Sequence, residues 1–270
     1  MALHVLDEAN RCLGCKKPLW QQGCPIHTNI PEVIRLLKAN QMDEAGKMLF
    51  ENNPMTTVCA LVCNHENQCE GHCVRNRMPS HDPVHFSIIE DYISTTYANK
   101  MTKGPAPKNG MKAAVVGAGP AGLTAAGDLA KLGYKVTVYE ALHVAGGVLM
   151  YGIPEFRLPK AIVQQEIDGL KKMGVDFECN MVIGKVLTID ELMGEYGYEA
   201  VFVGSGAGLP RFMGIPGESL KGVYSANEFL TRSNLMKAYL PTSKTPIRTG
   251  KKVAVVGGGN VAMDVARSSI

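Results

Sequence analysis

The sequence has no long apolar run at its start, no basic run, no low-complexity segment and no short-period repeat, and these absences narrow what the chain can do. A membrane span needs about 20 apolar residues and a signal peptide needs an apolar core. The opening Met-Ala-Leu-His-Val-Leu-Asp-Glu instead carries acids at Asp7 and Glu8, so it reads as neither, and the expected setting is cytoplasmic. A net charge of +3 over 270 residues, with no clustered Lys or Arg, gives no electrostatic footprint for nucleic acid or a membrane surface. Small molecules and protein partners remain. A hydrophobic content of 46% and a mean hydropathy of -0.01 are ordinary for a chain that buries a sizeable core, and the length suggests roughly two domains.

Cysteine is unevenly spread: seven of the eight fall between Cys12 and Glu90. They form two groups, Cys12-x-x-Cys15 with Cys24-Pro25, and Cys59-x3-Cys63-x5-Cys69-x3-Cys73. In a reducing compartment such a group points to metal rather than to disulfides. Short spacings let several thiolates meet one centre, and Cys followed by Pro is a feature of ferredoxin-type iron–sulfur motifs. Zinc is the alternative, since four-thiolate zinc sites also use short Cys-x-x-Cys pairs, although only one such pair is present and the x3 and x5 spacings fit zinc ribbons poorly. Cys179 stands apart in an apolar stretch and reads as a packed thiol.

Residues 84–97 fit a helix in which Phe86, Ile93 and Tyr97 share a face with Glu90. A carboxylate on an apolar face needs a cation, a donor or a metal, unless it reaches solvent from the edge of the stripe. Pro31 suits a first helical turn, with Val33, Ile34 and Leu37 as the apolar stripe behind it, and Met42 to Phe50 continues in the same style.

The turn-rich link Lys103-Gly-Pro-Ala-Pro-Lys-Asn-Gly110 marks the clearest boundary. Beyond it, Lys112 to Val116 and Lys135 to Tyr139 read as short buried strands flanking a helix, as in a βαβ unit. The turn between them is Gly117-Ala118-Gly119-Pro120-Ala121-Gly122, and Glu140 closes the second strand. In this fingerprint the first glycine permits the tight turn, the second lets backbone approach a pyrophosphate, the third allows close helix packing, and the acid binds a ribose. NAD and FAD share it. Val253-Ala-Val-Val-Gly257-Gly-Gly259-Asn260-Val261-Ala-Met-Asp264 opens a second such unit, expected to bind a pyridine nucleotide and to follow a strand. The predicted organisation is therefore α/β: a helical iron–sulfur domain over residues 1–105, a Rossmann-like FAD domain over 111–245, and the start of a second Rossmann-like NAD(P) domain over 250–270.

Several runs carry a closer resemblance: Arg11-Cys-Leu-Gly-Cys-Lys-Lys-Pro18, Gly23-Cys-Pro25 leading to Asn29-Ile-Pro31, Cys59 to Cys73, and Tyr151-Gly-Ile-Pro-Glu-Phe-Arg-Leu-Pro159. Together they resemble the small (beta) subunit family of NADPH-dependent glutamate synthase, and also the N-terminal half of dihydropyrimidine dehydrogenase and the flavin subunit of a ferredoxin:NADP oxidoreductase. The resemblance runs along essentially the whole chain. It implies two [4Fe–4S] clusters, one on Cys12, Cys15 and Cys73, the other on Cys24, Cys63, Cys69 and Glu90. The family pattern Cys-x2-Cys-x4-Cys-x3-Cys-Pro meets Trp20 where its third cysteine should stand, leaving the first set one ligand short unless Cys59 or water fills the place. The loop Ala145 to Pro154 selects FAD for the first nucleotide site by resemblance, with Gly117 to Gly122, Glu140, Gly147, Val148, Arg157 and backbone near Val182 as its contacts. NADP falls to Gly257, Gly259, Asn260, Val261 and Asp264. The strand and turn Tyr198 to Gly208 are expected beside the flavin. Because family members continue further, the chain reads as a fragment. The implied activity is electron transfer from NADPH through FAD and iron–sulfur clusters to the glutamate synthase large subunit or another accepting protein. The alternatives are the flavin subunit of a ferredoxin:NADP or sulfide-linked oxidoreductase, and a non-catalytic electron relay.

Overall fold

A computed structural model describes residues 2–98 and 105–270, and the chain divides into two compact units with the boundary between positions 104 and 105. Lys103 and Gly104, the start of the expected link, lie outside the described residues.

The first unit is helical. Its helices are α1 (Ala2–Asn10), α2 (Leu19–Gly23), α3 (Ile30–Lys38), α4 (Met42–Asn52), α5 (Thr56–Val62) and α6 (Phe86–Ala98), with single 3₁₀ turns at Glu70–His72 and Val74–Arg77. Pro31 stands in the first turn of α3, where its missing N–H costs nothing, and Ile30, Val33, Ile34 and Leu37 repeat at helical spacing to bury one face. They meet Leu49 of α4 and Phe86, Ile89 and Ile93 of α6 in one core that also contains Trp20, Cys69 and Cys73. Two buried acids pin the irregular segments to this core. Glu70 accepts hydrogen bonds from the backbone N–H (2.9 Å) and hydroxyl (2.7 Å) of Ser87, and Glu8 accepts one from the His85 N–H at 2.6 Å. Each places negative charge at the start of α6, where the helix dipole and free N–H groups favour it. Glu70 thereby fixes the turn that separates Cys69 from Cys73.

The second unit is a parallel sheet with crossover helices. Strands β1 (Lys112–Val116), β2 (Lys135–Glu140), β3 (Asp176–Cys179) and β4 (Ala200–Val203) lie in the order β3-β2-β1-β4, every neighbouring pair parallel. The register sets Val115 beside Val138 and Phe202. Helix α7 (Pro120–Lys131) joins β1 to β2, α8 (Val148–Tyr151) and α9 (Lys160–Lys172) precede β3, and α10 (Ile189–Gly194) precedes β4. A Thr188/Glu191 capping box starts α10. Then come α11 (Ala226–Leu230), a π-helical turn over Thr231–Leu235, and α12 (Asn260–Ser268).

One expectation fails. Residues 253–256 form no strand, and Val253 and Val256 are exposed by 57% and 77%. A parallel strand is stable only with a ladder partner and cover on both faces. Among the described residues the sheet ends at β4 and no strand pairs with this segment, so Val253 and Val256 stay exposed while the helix behind it folds. Among the described residues no helix is long and apolar enough to cross a membrane.

Candidate cofactor sites

All eight cysteines carry free thiols. In the first unit they fall into two sets. Cys12 is placed with Cys15 and Cys73, and these three line a small cleft closed by Trp20, with about 300 Å³ of free space counting its opening to solvent. Trp20 is 5% exposed and packs edge-on to Phe86 with ring centroids 6.3 Å apart, so the residue at the expected cysteine position is a core aromatic. Cys63 is placed with Cys24, Cys69 and Glu90. Glu90 lies buried inside the unit, which decides against a carboxylate reaching solvent, and accepts a hydrogen bond from the Thr56 hydroxyl at 2.6 Å.

Burial pushes the Glu90 carboxyl up to about 8 and the Cys69 thiol up to about 12, while a hydrogen bond from Cys59 holds Cys63 below the usual thiol range. Cys59 itself accepts from the Asn53 side-chain amide at 3.1 Å, and so stands in the second set rather than beside Cys12. The buried Cys69 thiol and Glu90 carboxyl, beside the half-buried Cys24 and Cys63, are costly to ionise together unless a cationic centre joins them, and thiolates are iron–sulfur ligands. The donor set therefore fits a cluster. Among the described residues no three His, Cys, Asp or Glu side chains stand close enough to share a single ion. Ligands of a cubane each take a different iron and need not approach so closely.

In the second unit the three glycines of the first turn meet three different surroundings. Gly117 has φ +100°, and a Cβ there would lie 2.4 Å from the Gly204 carbonyl oxygen, which seats the turn on the end of β4. Nothing lies within 4 Å of a Cβ built at Gly119, the cap of α7, so the helix N-terminus with Pro120 and Ala121 is open to an anion. At Gly122 a Cβ would sit 1.9 Å from the Gly117 carbonyl oxygen. The Glu140 carboxylate accepts from the Ala118 and Leu142 N–H groups, each at 2.8 Å, and keeps lone pairs for a ribose hydroxyl. Gly146 donates to the Ala118 carbonyl at 2.9 Å, and Gly147, with φ +52°, comes so close to Gly119 that a Cβ would lie 2.7 Å from its Cα. The loop carrying Val148 thus folds directly over the Gly117 to Gly122 turn.

The second turn also keeps its glycine conformation: Gly257 has φ +133°, Gly259 caps α12, and a Cβ at Gly259 would meet nothing within 4 Å. Gly259, Asn260 and Val261 border an open cleft of about 2130 Å³ shared with Met150, Phe156 and Tyr224. Arg157 donates to Asp264 at 2.7 Å, with the Asp264 side chain nearly buried. Two residues expected at separate nucleotide sites therefore hold each other. Val182 lies half exposed in the loop after β3.

Residues 111–269 match the pyridine nucleotide-disulphide oxidoreductase family. The chain belongs to that family. Residues 2–102 match the dihydropyrimidine dehydrogenase domain II family, described as a 4Fe–4S cluster domain. The chain is 34% identical over 273 residues to the glutamate synthase [NADPH] small chain of Azospirillum brasilense, covering 98% of this chain and 56% of that one. It is 36% identical to the putative oxidoreductase AegA of Escherichia coli K12, covering 97% of this chain and 40% of the relative. It is 35% identical to the NAD-dependent dihydropyrimidine dehydrogenase subunit PreT of Salmonella typhimurium, with 98% and 62% covered. The chain thus spans about half the length of the curated relatives it matches. The family works with FAD and NAD(P), and the N-terminal match adds the [4Fe–4S] cluster.

Against this pyridine nucleotide-disulphide oxidoreductase background, one positioning residue was missed. The Lys160 ammonium donates to the carbonyls of Leu149 (2.8 Å), Leu158 (3.2 Å) and Ile153, tying down the loop that bears Val148 and Arg157. Burial lowers its pKa to about 8. Its position directly after the Tyr151 to Pro159 run was the only sequence signal. Thr56, the partner of Glu90, gave none.

Proposed function

We propose that this chain is the electron-input arm of an NADPH-dependent iron–sulfur flavoprotein of the glutamate synthase small-chain kind. The observation that carries this reading is one chain joining an open glycine turn at Gly119 to a group of three thiols and a buried carboxyl at Cys24, Cys63, Cys69 and Glu90. When bound, FAD supplies the conversion of hydride chemistry into single-electron transfer, which iron–sulfur centres can carry onward.

The chain's own residues bind and orient. Gly117 to Gly122 and the N-terminus of α7 receive the FAD pyrophosphate, Glu140 its ribose, and Gly147, Val148, Arg157 and backbone near Val182 the remainder. Gly257, Gly259, Asn260 and Val261 receive the phosphates of NADPH at the start of α12. Asp264 holds Arg157 in place. Cys24, Cys63, Cys69 and Glu90 hold one iron–sulfur centre, Cys12, Cys15 and Cys73 another. No acid–base group is required, because the hydride passes between cofactors.

The electron acceptor in this reading is a glutamate synthase large subunit. This chain would then touch neither glutamine nor 2-oxoglutarate. The 35% identity to a dihydropyrimidine dehydrogenase subunit supports a second reading in which the same arm serves a different reductase. Co-purification of a glutamine-amidotransferase chain favours the first, and of another flavoprotein or a pyrimidine-reducing chain the second. Anaerobic mixing of the FAD-loaded, iron-reconstituted protein with NADPH tests both: the flavin absorbance bleaches if the chain is an input arm, and its persistence would leave only a relay.

A further inference from the structure

The cleft formed by Cys12, Cys15, Cys73 and Trp20 differs from the second thiol group in its donor count. Three thiols face it. Apart from Trp20 and Arg75 the rest of its wall is aliphatic, and a guanidinium that stays protonated has no lone pair for a metal. The place of a fourth ligand is taken by an indole that donates only through its N–H and is fixed in the core against Phe86. Cys59, the one spare thiol of this unit, is committed elsewhere by its bonds to Asn53 and Cys63. The second group, by contrast, brings three thiols and the Glu90 carboxyl to one place.

We infer that Cys12, Cys15 and Cys73 form a three-thiolate site that holds a [3Fe–4S] cluster, with Trp20 closing the corner where a fourth iron and its ligand would stand. This rests on the reading of the first unit as an iron–sulfur domain and adds a claim about this chain's own ligands. In a cubane each iron takes one protein ligand. Three thiolates match three irons, and the corner left over faces a hydrophobic ring that supplies no donor and leaves little room for water. The two centres of the unit are thereby unequal: the one at Cys24, Cys63, Cys69 and Glu90 has four candidate ligands, and the one at Cys12, Cys15 and Cys73 has three.

The test is iron and sulfide analysis with low-temperature electron paramagnetic resonance on the full chain, reconstituted under anaerobic conditions. The expected wild-type protein holds one iron fewer than two cubanes and shows, before any reductant, the signal of an oxidised three-iron cluster. Trp20→Phe keeps both properties, since it changes the ring without adding a ligand. Trp20→Cys gains one iron and loses the signal. Cys15→Ser, at a half-exposed position that leaves the core intact, loses the signal and retains the iron of a single cubane. Two full, signal-free cubanes in the wild type would overturn the inference, as would iron for one cubane only, or a signal that survives Cys15→Ser. Those results leave the iron–sulfur reading standing. Iron absent from both groups would overturn that reading and this inference together.

Discussion

Gly119 and Gly122 lie in the same turn, yet a methyl group at each is expected to fail in opposite ways. The backbone at Gly119 is extended (φ −76°, ψ −177°), and nothing lies within 4 Å of a Cβ there. Alanine at this position gains about 0.4–1 kcal/mol by restricting the unfolded chain. It gives up about as much as a poorer helix cap. Gly119→Ala should therefore leave stability within about 0.5 kcal/mol of wild type. At Gly122 the new Cβ would stand 1.9 Å from the Gly117 carbonyl oxygen and 3.1 Å from a Val115 methyl, so backbone has to move. Such overpacking costs about 1–3 kcal/mol. For a unit of this size each kcal/mol lowers the melting temperature by about 2–4 °C. FAD binding should reverse the order of damage in the soluble, folded variants. The Gly119→Ala methyl fills the space through which backbone approaches the pyrophosphate, and a ten-fold weaker Kd, about 1.4 kcal/mol, is a lower bound for that loss. Thermal unfolding of the FAD-free protein and a fluorescence titration with FAD measure the two effects separately. Wild-type FAD affinity in Gly119→Ala, or an unchanged melting temperature in Gly122→Ala, would refute the assignment of the turn.

Arg157→Ala leaves the nearly buried Asp264 carboxylate unpaired; a double-mutant cycle with Asp264→Asn should give a coupling of about 1–3 kcal/mol in chemical denaturation. Lys160→Met removes three charge-assisted hydrogen bonds to the Leu149 to Leu158 loop and should cost about 1.5–3 kcal/mol in the same assay. Burial lowers the folded-state pKa of Lys160 from 10.5 to about 8, so between those values the unfolded chain holds a proton that the folded chain has released. Wild-type stability should accordingly rise across that interval, and Lys160→Met should lack this part of the slope. Cys63→Ser should reduce iron content by that of one centre and leave FAD content unchanged, because the thiol groups and the dinucleotide turn lie in separate compact units.

The parts of the fold legible in the sequence were those set by local chemistry. The stripe of Val33, Ile34 and Leu37 and the strands on either side of Gly117 follow from spacing and are found in the structure, as are the tight turn at Gly117 and the close backbone approach at Gly122. Spacing left the Glu90 carboxyl open between burial and solvent, because the depth of a helix face depends on what packs against it. The segment 253–256 shows the limit from the other side: its composition favours a strand, but strand formation requires a partner, and no local pattern supplies one. The Arg157–Asp264 pair joins residues 107 positions apart, and Lys160 acts on carbonyls, which carry no sequence signal. Trp20 was legible as a departure from a motif. Its packing on Phe86, which makes that departure part of the core, required the structure.

In the proposed function one chain accepts electrons at a flavin and passes them to iron–sulfur centres. Rapid anaerobic mixing of the FAD-loaded, iron-reconstituted protein with NADPH, followed by freeze-quench electron paramagnetic resonance, tests it most directly. Flavin bleaching should come first and a reduced iron–sulfur signal should follow, with the signal from the Glu90 centre lost in Cys63→Ser. A flavin that stays oxidised, or one that bleaches while the clusters never become reduced, would contradict the account.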